Sequence, residues 1–440
     1  MAMKMLKKKV LAMTAVTAMA LGTLAGSYFT GPSAEADSTY NHNHGKVKNV
    51  IFLIPDGFSA SYATNYRWFK GKESQMDQIL VGMHRTYSAD SEVTDSAAAG
   101  TAMATGVKTN NGMISTSPDG KKLKTILETV EEKGKATGLV ATSTITHATP
   151  AVFASHVASR ADEASIAPQL LENGVDVLLG GGKKYFPDSL IANAKKDGYQ
   201  YITSRDELAG AAKSNKLIGL FAEDALAPSL DRDETNEPTL GEMTETAINV
   251  LKKGKDGFFL MVEGSQIDWA GHDHDAAWAM SDVAAFEEAL AKALAFAKKD
   301  GQTLVVVAGD HDTGGMSVGG YGVYDANVEI LRNVTATGDY MVTKLDSGRS
   351  NVKAVVKEYT GLDLTDAEAE RVRTASKPDM AINEIVSERA RVGWTSTAHT
   401  GVDVPLYAFG PGSDLFNGLH QNTDLPVLIA KAMKIKFDGK

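Results

Sequence analysis

The stretch NVIFLIPDG, at residues 49–57, runs from β-branched and aliphatic side chains directly into a proline, an acid and a glycine. A short apolar run that ends in loop residues predicts a fully buried strand, here over Asn49–Ile54. The acid, Asp56, follows this strand at its carboxyl end. Because ligands of open α/β sheets bind at the carboxyl ends of the strands, Asp56 becomes a candidate site residue.

The same pattern recurs along the chain. Further strands are predicted at Ala136–Ala141, Val175–Leu179, Gly257–Val262, Thr303–Ala308 and Val404–Phe409. Amphipathic stretches between several of them predict helices at Leu123–Lys133, Glu242–Lys252 and Asp282–Lys299. Continuous apolar strands that alternate with helices indicate an α/β fold, in which helices cover both faces of a central, mostly parallel sheet.

The N-terminal residues have the pattern of an export signal. A lysine-rich head precedes an apolar run over 10–26, and SAEA at 33–36 gives an A-x-A cleavage pattern. This combination predicts a signal peptide over 1–36, cleavage after Ala36, and a secreted or extracytoplasmic location. No other apolar run is long enough to span a bilayer.

Composition limits the classes of function. The 440-residue chain has a formal net charge of −10. Residues 1–36 contain four lysines and one glutamate, so their removal leaves 41 basic and 54 acidic residues and a net charge of −13. An acidic chain without a basic run argues against nucleic-acid specificity. Cysteine is absent, which excludes disulfides, thiolate metal sites and a thiol nucleophile. Any metal must therefore be held by histidines and carboxylates.

Two pairs of residues have the chemistry of metal ligands. Asp268 and His272 are four residues apart, which puts both on one face if the segment is helical and makes them usable as zinc ligands. A solvated polar loop is the alternative for that segment. Asp310 and His311 follow the predicted strand Thr303–Ala308, and adjacent oxygen and nitrogen donors suit a borderline-soft divalent metal.

One further histidine, His399, precedes the last predicted strand and could complete such a site. Together with Asp56 and the two pairs, it supplies enough oxygen and nitrogen donors for two metal centres.

A serine heads a segment with almost no bulk, TDSAAAGTAMATG at residues 94–106. On one interpretation the small residues let a buried helix lie flat against a sheet, and Ser96 only caps it. On the other, Ser96 is a nucleophile, since a metal-bound serine hydroxyl loses its proton readily and attacks an electrophile such as phosphorus. Its place at a helix N-terminus would add backbone N–H groups that favour an anion.

Seven motifs occur in one order along nearly all of residues 37–440: NVIFLIPDG, TDSAAAGTAMATG, HATPAVFASHVASR, EPTLGEMTETAI, FFLMVEGSQIDWAGH, TLVVVAGDHDTGG and TAHTG. With this set the chain resembles the alkaline phosphatases, specifically the secreted bacterial enzymes of Bacillus type. The resemblance implies a three-layer α/β sandwich, a catalytic domain over 37–440, a homodimer, and hydrolysis of small-molecule phosphate monoesters.

The resemblance also implies a role for each residue at a matching position. Ser96 corresponds to the phosphorylated nucleophile, and Arg160 to the guanidinium that grips two phosphate oxygens. The implied ligands of the first of two zinc ions per subunit are Asp268, His272 and His399. The implied ligands of the second are Asp310 and His311, with Asp56 bridging to a third metal. That third metal, normally one magnesium per subunit, takes Thr149 and Glu263 as direct ligands.

Two positions depart from the best-known bacterial pattern. His147 stands where that pattern has an aspartate near the third metal, and Trp269 stands where it has a lysine that contacts phosphate through water. Because imidazole suits zinc or cobalt better than magnesium, we expect these ions to compete at the third site. Residues from about 319 to 391 are expected to form an inserted, crown-like subdomain of mixed structure.

Other functions fit the sequence less well. A sulfatase needs a modified residue in a C/S-x-P-x-R context, which the residues after Ser96 lack. A phosphodiesterase of the same superfamily stays open, and so does an inactive secreted metal-binding protein, although a metal store has no use for Arg160. Four histidines match no ligand position and are expected to be structural: His84, His156, His274 and His420.

Overall fold

In the computed structural model, which describes residues 45–438, the stretch NVIFLIP forms a central strand of a ten-stranded sheet. The strands, in chain order, are β1 (Asn49–Pro55), β2 (Leu80–Arg85), β3 (Ala136–Thr144), β4 (Val177–Gly181), β5 (Tyr199–Ile202), β6 (Lys216–Leu220), β7 (Phe258–Gly264), β8 (Thr303–Ala308), β9 (Asp312–Thr313), β10 (His399–Thr400), β11 (Val404–Phe409) and β12 (Gly418–Gln421). The large sheet has the order β12-β2-β11-β8-β1-β7-β3-β4-β6-β5, and β9 pairs with β10 separately.

The helices connect these strands. In chain order they are α1 (Ala60–Lys70), α2 (Ser96–Thr105), α3 (Ile126–Glu131), α4 (Ala148–Ala154), α5 (Glu163–Glu172), α6 (Asp188–Lys196), α7 (Arg205–Ala211), α8 (Leu240–Leu251), α9 (Gln266–His272), α10 (Ala276–Asp300), α11 (Gly338–Val342), α12 (Val352–Thr360), α13 (Asp366–Thr374), α14 (Pro378–Ala390) and α15 (Asp424–Met433). Among residues 45–438, no helix is long and apolar enough to cross a membrane. The predicted signal peptide and cleavage site lie outside the described residues.

Alternate side chains of β1 enter two separate cores. Ile51 and Leu53 pack into a cluster with α8 and α10, whereas Val50, Phe52 and Ile54 pack into a cluster with α2, α4 and α15. Every residue of β1 is buried, as expected for a strand with helices on both faces. The predicted three-layer α/β sandwich is thereby confirmed.

Strand direction decides which loops meet. The pairings of the large sheet are parallel except those of β11, which runs antiparallel to both β8 and β2. The carboxyl ends of β1, β3, β7 and β8 therefore lie at one edge, and β11 begins at that same edge. As a result, the segment before β11, which carries His399, meets the loops that follow the parallel strands.

The six predicted strands are all present; Thr303–Ala308 and Val404–Phe409 have the predicted ends, and the other four have shifted ends. The strand predicted at Val175–Leu179 begins two residues later and extends through Gly181, and the others match within a few residues. Six strands were not predicted: β9 and β10, which pair with each other, and β2, β5, β6 and β12, which lie toward the two edges of the large sheet. Half-exposed strands such as β2 lack the continuous apolar run on which the prediction relied.

The segment from 319 to 391 is helical rather than mixed. It contains α11, α12, α13 and α14, and its apolar residues join the same core cluster as α10. The whole of residues 45–438 belongs to one compact unit.

The small-residue stretch forms helix α2, and all ten of its residues are buried. Its N-cap is Asp95, whose carboxylate accepts a hydrogen bond from the Ala98 N–H at 2.9 Å. Ser96 is thus the first helical residue and not the cap. A Cβ at Gly100 would lie 2.9 Å from Val152 Cγ2, so the absence of a side chain lets α2 pack closely against α4.

His156 is one of the four histidines that are expected to be structural. It links the loop that contains Ser115 to helix α3. Its Nδ1 lies 2.8 Å from the Ser115 carbonyl oxygen and its Nε2 lies 2.8 Å from Glu128 Oε1. Burial disfavours the charged form, but the bond to Glu128 raises the pKa of His156 above its usual value. For Glu128, burial is likewise outweighed by His156, and its pKa is lowered. Both ring nitrogens face acceptors, which only the protonated imidazole satisfies together.

We expect His156→Ala to destabilise the protein by about 2 kcal/mol near pH 6, because it leaves a partly buried carboxylate and a carbonyl without a donor. The stability that protonated His156 contributes is full below its unfolded pKa of about 6.5 and is lost as pH rises through its raised pKa in the folded protein. The stability that ionised Glu128 contributes is full above its unfolded pKa of about 4.5 and is lost as pH falls through its lowered pKa in the folded protein. Urea unfolding from pH 4 to 9 measures this. His420→Ala is the control, and a pH-independent cost for His156→Ala would contradict the ion pair.

Candidate active site

Three strands deliver carboxylates to one point at the edge of the sheet. Asp56 follows β1, Glu263 is the penultimate residue of β7 and pairs in register with Ile54, and Asp310 follows β8. All three side chains are at most 1% exposed. The Gly57 N–H donates to Asp310 Oδ1 at 3.0 Å, which ties the loop after β8 to the loop after β1.

Ser96 lies at this edge, at the buried N-terminus of α2. Its Oγ is 3.2 Å from His311 Nε2, and its side chain is almost completely buried. A helix N-terminus presents free backbone N–H groups and the positive end of the helix dipole. The N-terminus of α2 therefore favours an anion beside this hydroxyl.

The predicted first zinc set is brought together. His272 Nε2 is 3.4 Å from Asp268 Oδ2, His399 Nε2 is 3.3 Å from Asp268 Oδ1, and the two Nε2 atoms are 3.2 Å apart. Asp268 and His272 both lie in helix α9, so this segment is helical and the alternative of a solvated polar loop is wrong.

Backbone carbonyls orient both imidazoles of this set. Nδ1 of His272 lies 2.7 Å from the Thr397 carbonyl oxygen, and Nδ1 of His399 lies 2.8 Å from the Thr94 carbonyl oxygen. A neutral imidazole that donates from Nδ1 has its lone pair on Nε2, so both lone pairs can point at a shared cation. Carbonyl bonds of this kind are typical partners of metal-binding histidines.

The predicted second set also converges. His311 Nε2 lies 3.2 Å from Asp310 Oδ2 and 3.6 Å from Asp56 Oδ1. The ring of His311 stacks on that of His399 with centroids 3.6 Å apart. His311 therefore stands between the two predicted sets, and it forms candidate metal clusters both with Asp56 and Asp310 and with Asp268 and His399.

The third cluster consists of Asp56, His147 and Glu263, whose candidate ligand atoms lie within 4.8 Å of one another. We call it the third-site cluster. Thr149, on the first turn of α4, donates its hydroxyl to Asp56 Oδ2 at 3.1 Å. Ser143, which the sequence did not indicate, donates to Glu263 Oε2 at 3.1 Å.

The donor atoms of these clusters fit divalent cations. Within residues 45–438, three buried carboxylate oxygens have no hydrogen-bond partner: Asp56 Oδ1, Glu263 Oε1 and Asp310 Oδ2. Buried polar atoms are normally paired, and a bound ion is one of the accepted explanations for a buried polar atom without a protein partner. Imidazole nitrogens together with carboxylate oxygens suit zinc, and an oxygen-rich set suits magnesium.

Electrostatics supports the same interpretation. Burial, together with the charges of Asp310 and Asp268, raises the pKa of Asp56 well above its usual value. Burial raises the pKa of Glu263 to about 7 and that of Asp310 to about 6. Like-charged buried carboxylates at this density need cations to remain ionised together.

Asp268 behaves differently from these three carboxylates. Burial would raise its pKa, but the bonds from His272 and His399 hold the pKa of Asp268 well below its usual value. The same contact outweighs burial at His272, whose pKa rises to about 9.

Arg160 reaches the site from a loop. Without the family resemblance, the sequence around Arg160 suggested only a surface position. Its Nη1 donates to Asp95 Oδ2 at 3.0 Å and its Nη2 contacts His147 Nε2 at 3.0 Å. Its backbone N–H donates to the Gly112 carbonyl at 2.7 Å. Because Asp95 lies 65 residues from Arg160 in the sequence, no local pattern could have indicated that contact.

Trp269 lies beside His147, with the two rings edge to face and centroids 5.9 Å apart. Burial, and next the charge of Arg160, lower the pKa of His147 to about 3. His147 is therefore a neutral imidazole at physiological pH. Thr313 was not foreseen; it donates to Asp268 and lies 3.3 Å from His311 Nδ1.

The four histidines expected to be structural lie apart from the three clusters found among residues 45–438. His274 stacks on Trp394 with centroids 5.1 Å apart, and its Nε2 donates to the Ser396 carbonyl oxygen. His84 is buried in β2, between β11 and β12.

Comparison with known proteins identifies the family. The family profile described as alkaline phosphatase matches residues 47–435. Alkaline phosphatase 3 of Bacillus subtilis is 44% identical, with 100% of each chain covered. The crystal structure of a cold-active alkaline phosphatase from a Shewanella species superposes with a TM-score of 0.83 at 35% identity, covering 88% of this chain and 99% of that one.

A further solved structure is also similar to this chain. It is a variant of the alkaline phosphatase from the Antarctic bacterium TAB5 in which aspartate replaces a histidine, with magnesium bound in its M3 site. It is 30% identical, with a TM-score of 0.68, and the match covers 89% of this chain and 99% of that one. A profile that matches most of the chain and a relative 44% identical over its full length show that this chain belongs to the alkaline phosphatase family.

Proposed function

We propose that this protein hydrolyses phosphate monoesters through a phosphoserine intermediate on Ser96. The observation that carries the proposal is the position of the Ser96 hydroxyl, buried at the N-terminus of α2 and 3.2 Å from His311 Nε2. Around it lie three candidate metal clusters, and two of them contain buried carboxylate oxygens without a hydrogen-bond partner, which call for cations.

The reaction has two displacements. In the first, Ser96 Oγ forms a bond to phosphorus while the ester P–O bond breaks, and the alcohol leaves with a proton. In the second, water forms a bond to the same phosphorus, the Ser96 Oγ–P bond breaks, and inorganic phosphate leaves while Ser96 regains its proton. Splitting one difficult displacement into two is the general advantage of a covalent nucleophile.

The proposed ligands are those of the sequence analysis. Two zinc ions per subunit would be held by Asp268, His272 and His399 and by Asp56, Asp310 and His311. A third ion, normally magnesium, would be held by Asp56, His147, Thr149 and Glu263. When bound, such cations lower the pKa of a coordinated hydroxyl or water and neutralise charge on the reacting oxygens.

Arg160 and helix α2 bind the phosphate in this proposal. A guanidinium offers two parallel N–H donors that match two oxygens of one phosphate. Asp95 holds Nη1 of Arg160 at 3.0 Å and also caps α2. One carboxylate thus fixes the arginine relative to the first residue of the helix, which is Ser96.

We further propose that residues 1–36 are a signal peptide, that the mature chain is extracytoplasmic and that it forms a homodimer. In this proposal the helical segment over 319–391 is the crown-like subdomain. N-terminal sequencing of secreted protein and light scattering test the cleavage site and the dimer.

The proposed activity is tested by measuring bound zinc together with hydrolysis of a simple aryl phosphate. We expect zinc-dependent release of inorganic phosphate. A bis-aryl phosphate run in parallel tests the phosphodiesterase alternative, and faster turnover of the diester would favour it. A protein that binds zinc and hydrolyses neither ester would be the inactive metal-binding alternative.

The double change His147→Asp with Trp269→Lys is expected to shift the third site toward magnesium and to tighten inorganic phosphate binding, on the order of ten-fold. The physical reason is that magnesium prefers oxygen ligands, and a lysine adds a positive charge near the phosphate. A relative with an engineered aspartate holds magnesium at its M3 site. The measurement is metal content and phosphate inhibition constants after reconstitution with zinc and then magnesium or cobalt.

The control for this pair is Trp278→Phe, which alters a buried tryptophan of α10 that the proposal places outside the site. Exclusive magnesium uptake by the unmodified protein, with unchanged phosphate inhibition in the double variant, would contradict the prediction.

A further inference from the structure

His147 contacts Arg160 and also belongs to the third-site cluster, and both partners require a lone pair of its imidazole ring. Its Nε2 is 3.0 Å from Nη2 of Arg160. The same imidazole belongs to the third-site cluster with Asp56 and Glu263. Its other nitrogen, Nδ1, is buried and has no hydrogen-bond partner among residues 45–438.

The contact with Arg160 fixes where the imidazole proton is. A guanidinium carries donors and no acceptor, so Nε2 of His147 must supply its lone pair to the Nη2–H group. A neutral imidazole has one such lone pair. The proton therefore sits on Nδ1, and the ring has no lone pair left for a cation.

A cation that takes His147 as a ligand at the third-site cluster cannot coexist with this hydrogen bond. If it binds Nε2 of His147, it takes the lone pair that Arg160 uses. If it binds Nδ1, the proton moves to Nε2, and two N–H groups then face each other. We propose that His147 is a positioning residue that exchanges partners, holding Arg160 when the third site is empty and releasing it when a cation binds.

Release would leave Arg160 anchored but available. Nη1 keeps its bond to Asp95 Oδ2 at 3.0 Å, while the Nη2–H group becomes free to donate to a phosphate oxygen. The exchange makes cation binding and phosphate binding cooperative, and linkage requires each to strengthen the other by the same factor. The inference rests on the proposed function, because it assumes that Arg160 binds phosphate.

The first test is structural and independent of turnover. Crystal structures of the zinc-reconstituted protein are compared without and with magnesium at the third site. We expect the Nη2–Nε2 distance to stay near 3.0 Å without magnesium and to exceed about 3.5 Å with it. Persistence of the hydrogen bond in the filled site would overturn the proposal.

The second test measures the linkage by calorimetry, with inorganic phosphate and magnesium chloride as the probes. In the zinc-reconstituted protein we expect magnesium to tighten phosphate binding by about five-fold or more beyond the control variants, within the usual range of such couplings. Because a cation also attracts phosphate directly, controls must retain that attraction.

Two variants serve as those controls. Arg160→Lys keeps the positive charge without the planar fork, and His147→Asp offers an oxygen with spare lone pairs that can serve a donor and a cation together. We expect a smaller coupling factor in both. Equal factors in all three proteins would overturn the exchange, whereas an unmodified protein without activity on aryl phosphate would overturn the proposed function instead.

Discussion

Replacing Ser96 by alanine is expected to lower kcat/KM for an aryl phosphate on the order of 10⁴-fold or more, as loss of a covalent nucleophile commonly does. The hydroxyl is buried 3.2 Å from His311 Nε2, and no other described hydroxyl occupies that position at the head of α2. Steady-state hydrolysis measures the effect.

The change removes one oxygen from a close-packed helix that is otherwise rich in alanine, so we expect the fold to survive. Ser155→Ala is the matched control, because Ser155 is equally buried and bonds to the Ala151 carbonyl away from the clusters. Full activity of Ser96→Ala would show that water attacks the ester directly.

Removal of metal by a chelator is expected to lower turnover on the order of 10³-fold, since metals supply several kcal/mol and each factor of ten corresponds to about 1.4 kcal/mol. We also expect a lower Tm, because Asp56, Glu263 and Asp310 would face one another without a counterion. Activity and thermal unfolding are measured before and after dialysis against the chelator.

Addition of zinc to the dialysed protein serves as the control for irreversible damage, and it should restore both activity and Tm. A metal-free protein that retains its activity would contradict the assignment of the clusters as metal centres.

The central sheet could be predicted because its inner strands are buried on both faces. A strand such as β1 must be apolar at every position, and the loop residues that follow it are then confined to the sheet edge. This is why the sequence could predict that Asp56 and Asp310 lie close together.

His399 needed more than this argument. Its position depends on β11 running antiparallel and on β10 pairing with β9, which sets His399 opposite Thr313. Neither pairing leaves a local pattern in the sequence. The residues alone indicated only that His399 could complete a metal site. The resemblance to the family assigned it to the first zinc set, and the structure supplies the physical reason for its position.

Arg160 and Asp95 show where reasoning from residues alone stopped. Asp95 is followed by a serine, and either residue could cap the helix by its chemistry; only the backbone shows that Asp95 does so. The contact between Asp95 and Arg160 joins two loops 65 residues apart. Such a pair is set by how α2 and α4 pack, which no short window of sequence encodes.

The central claim is that Ser96 carries the phosphoryl group during turnover. The most direct measurement is to mix the zinc-reconstituted protein with an aryl phosphate, quench in acid, digest, and map phosphorylation by mass spectrometry. The account predicts a phosphoryl group on the peptide that contains Ser96, at that residue, and none in Ser96→Ala. An active protein whose quenched Ser96 peptide is never phosphorylated, even at low pH where breakdown of the intermediate is slow, would contradict the account.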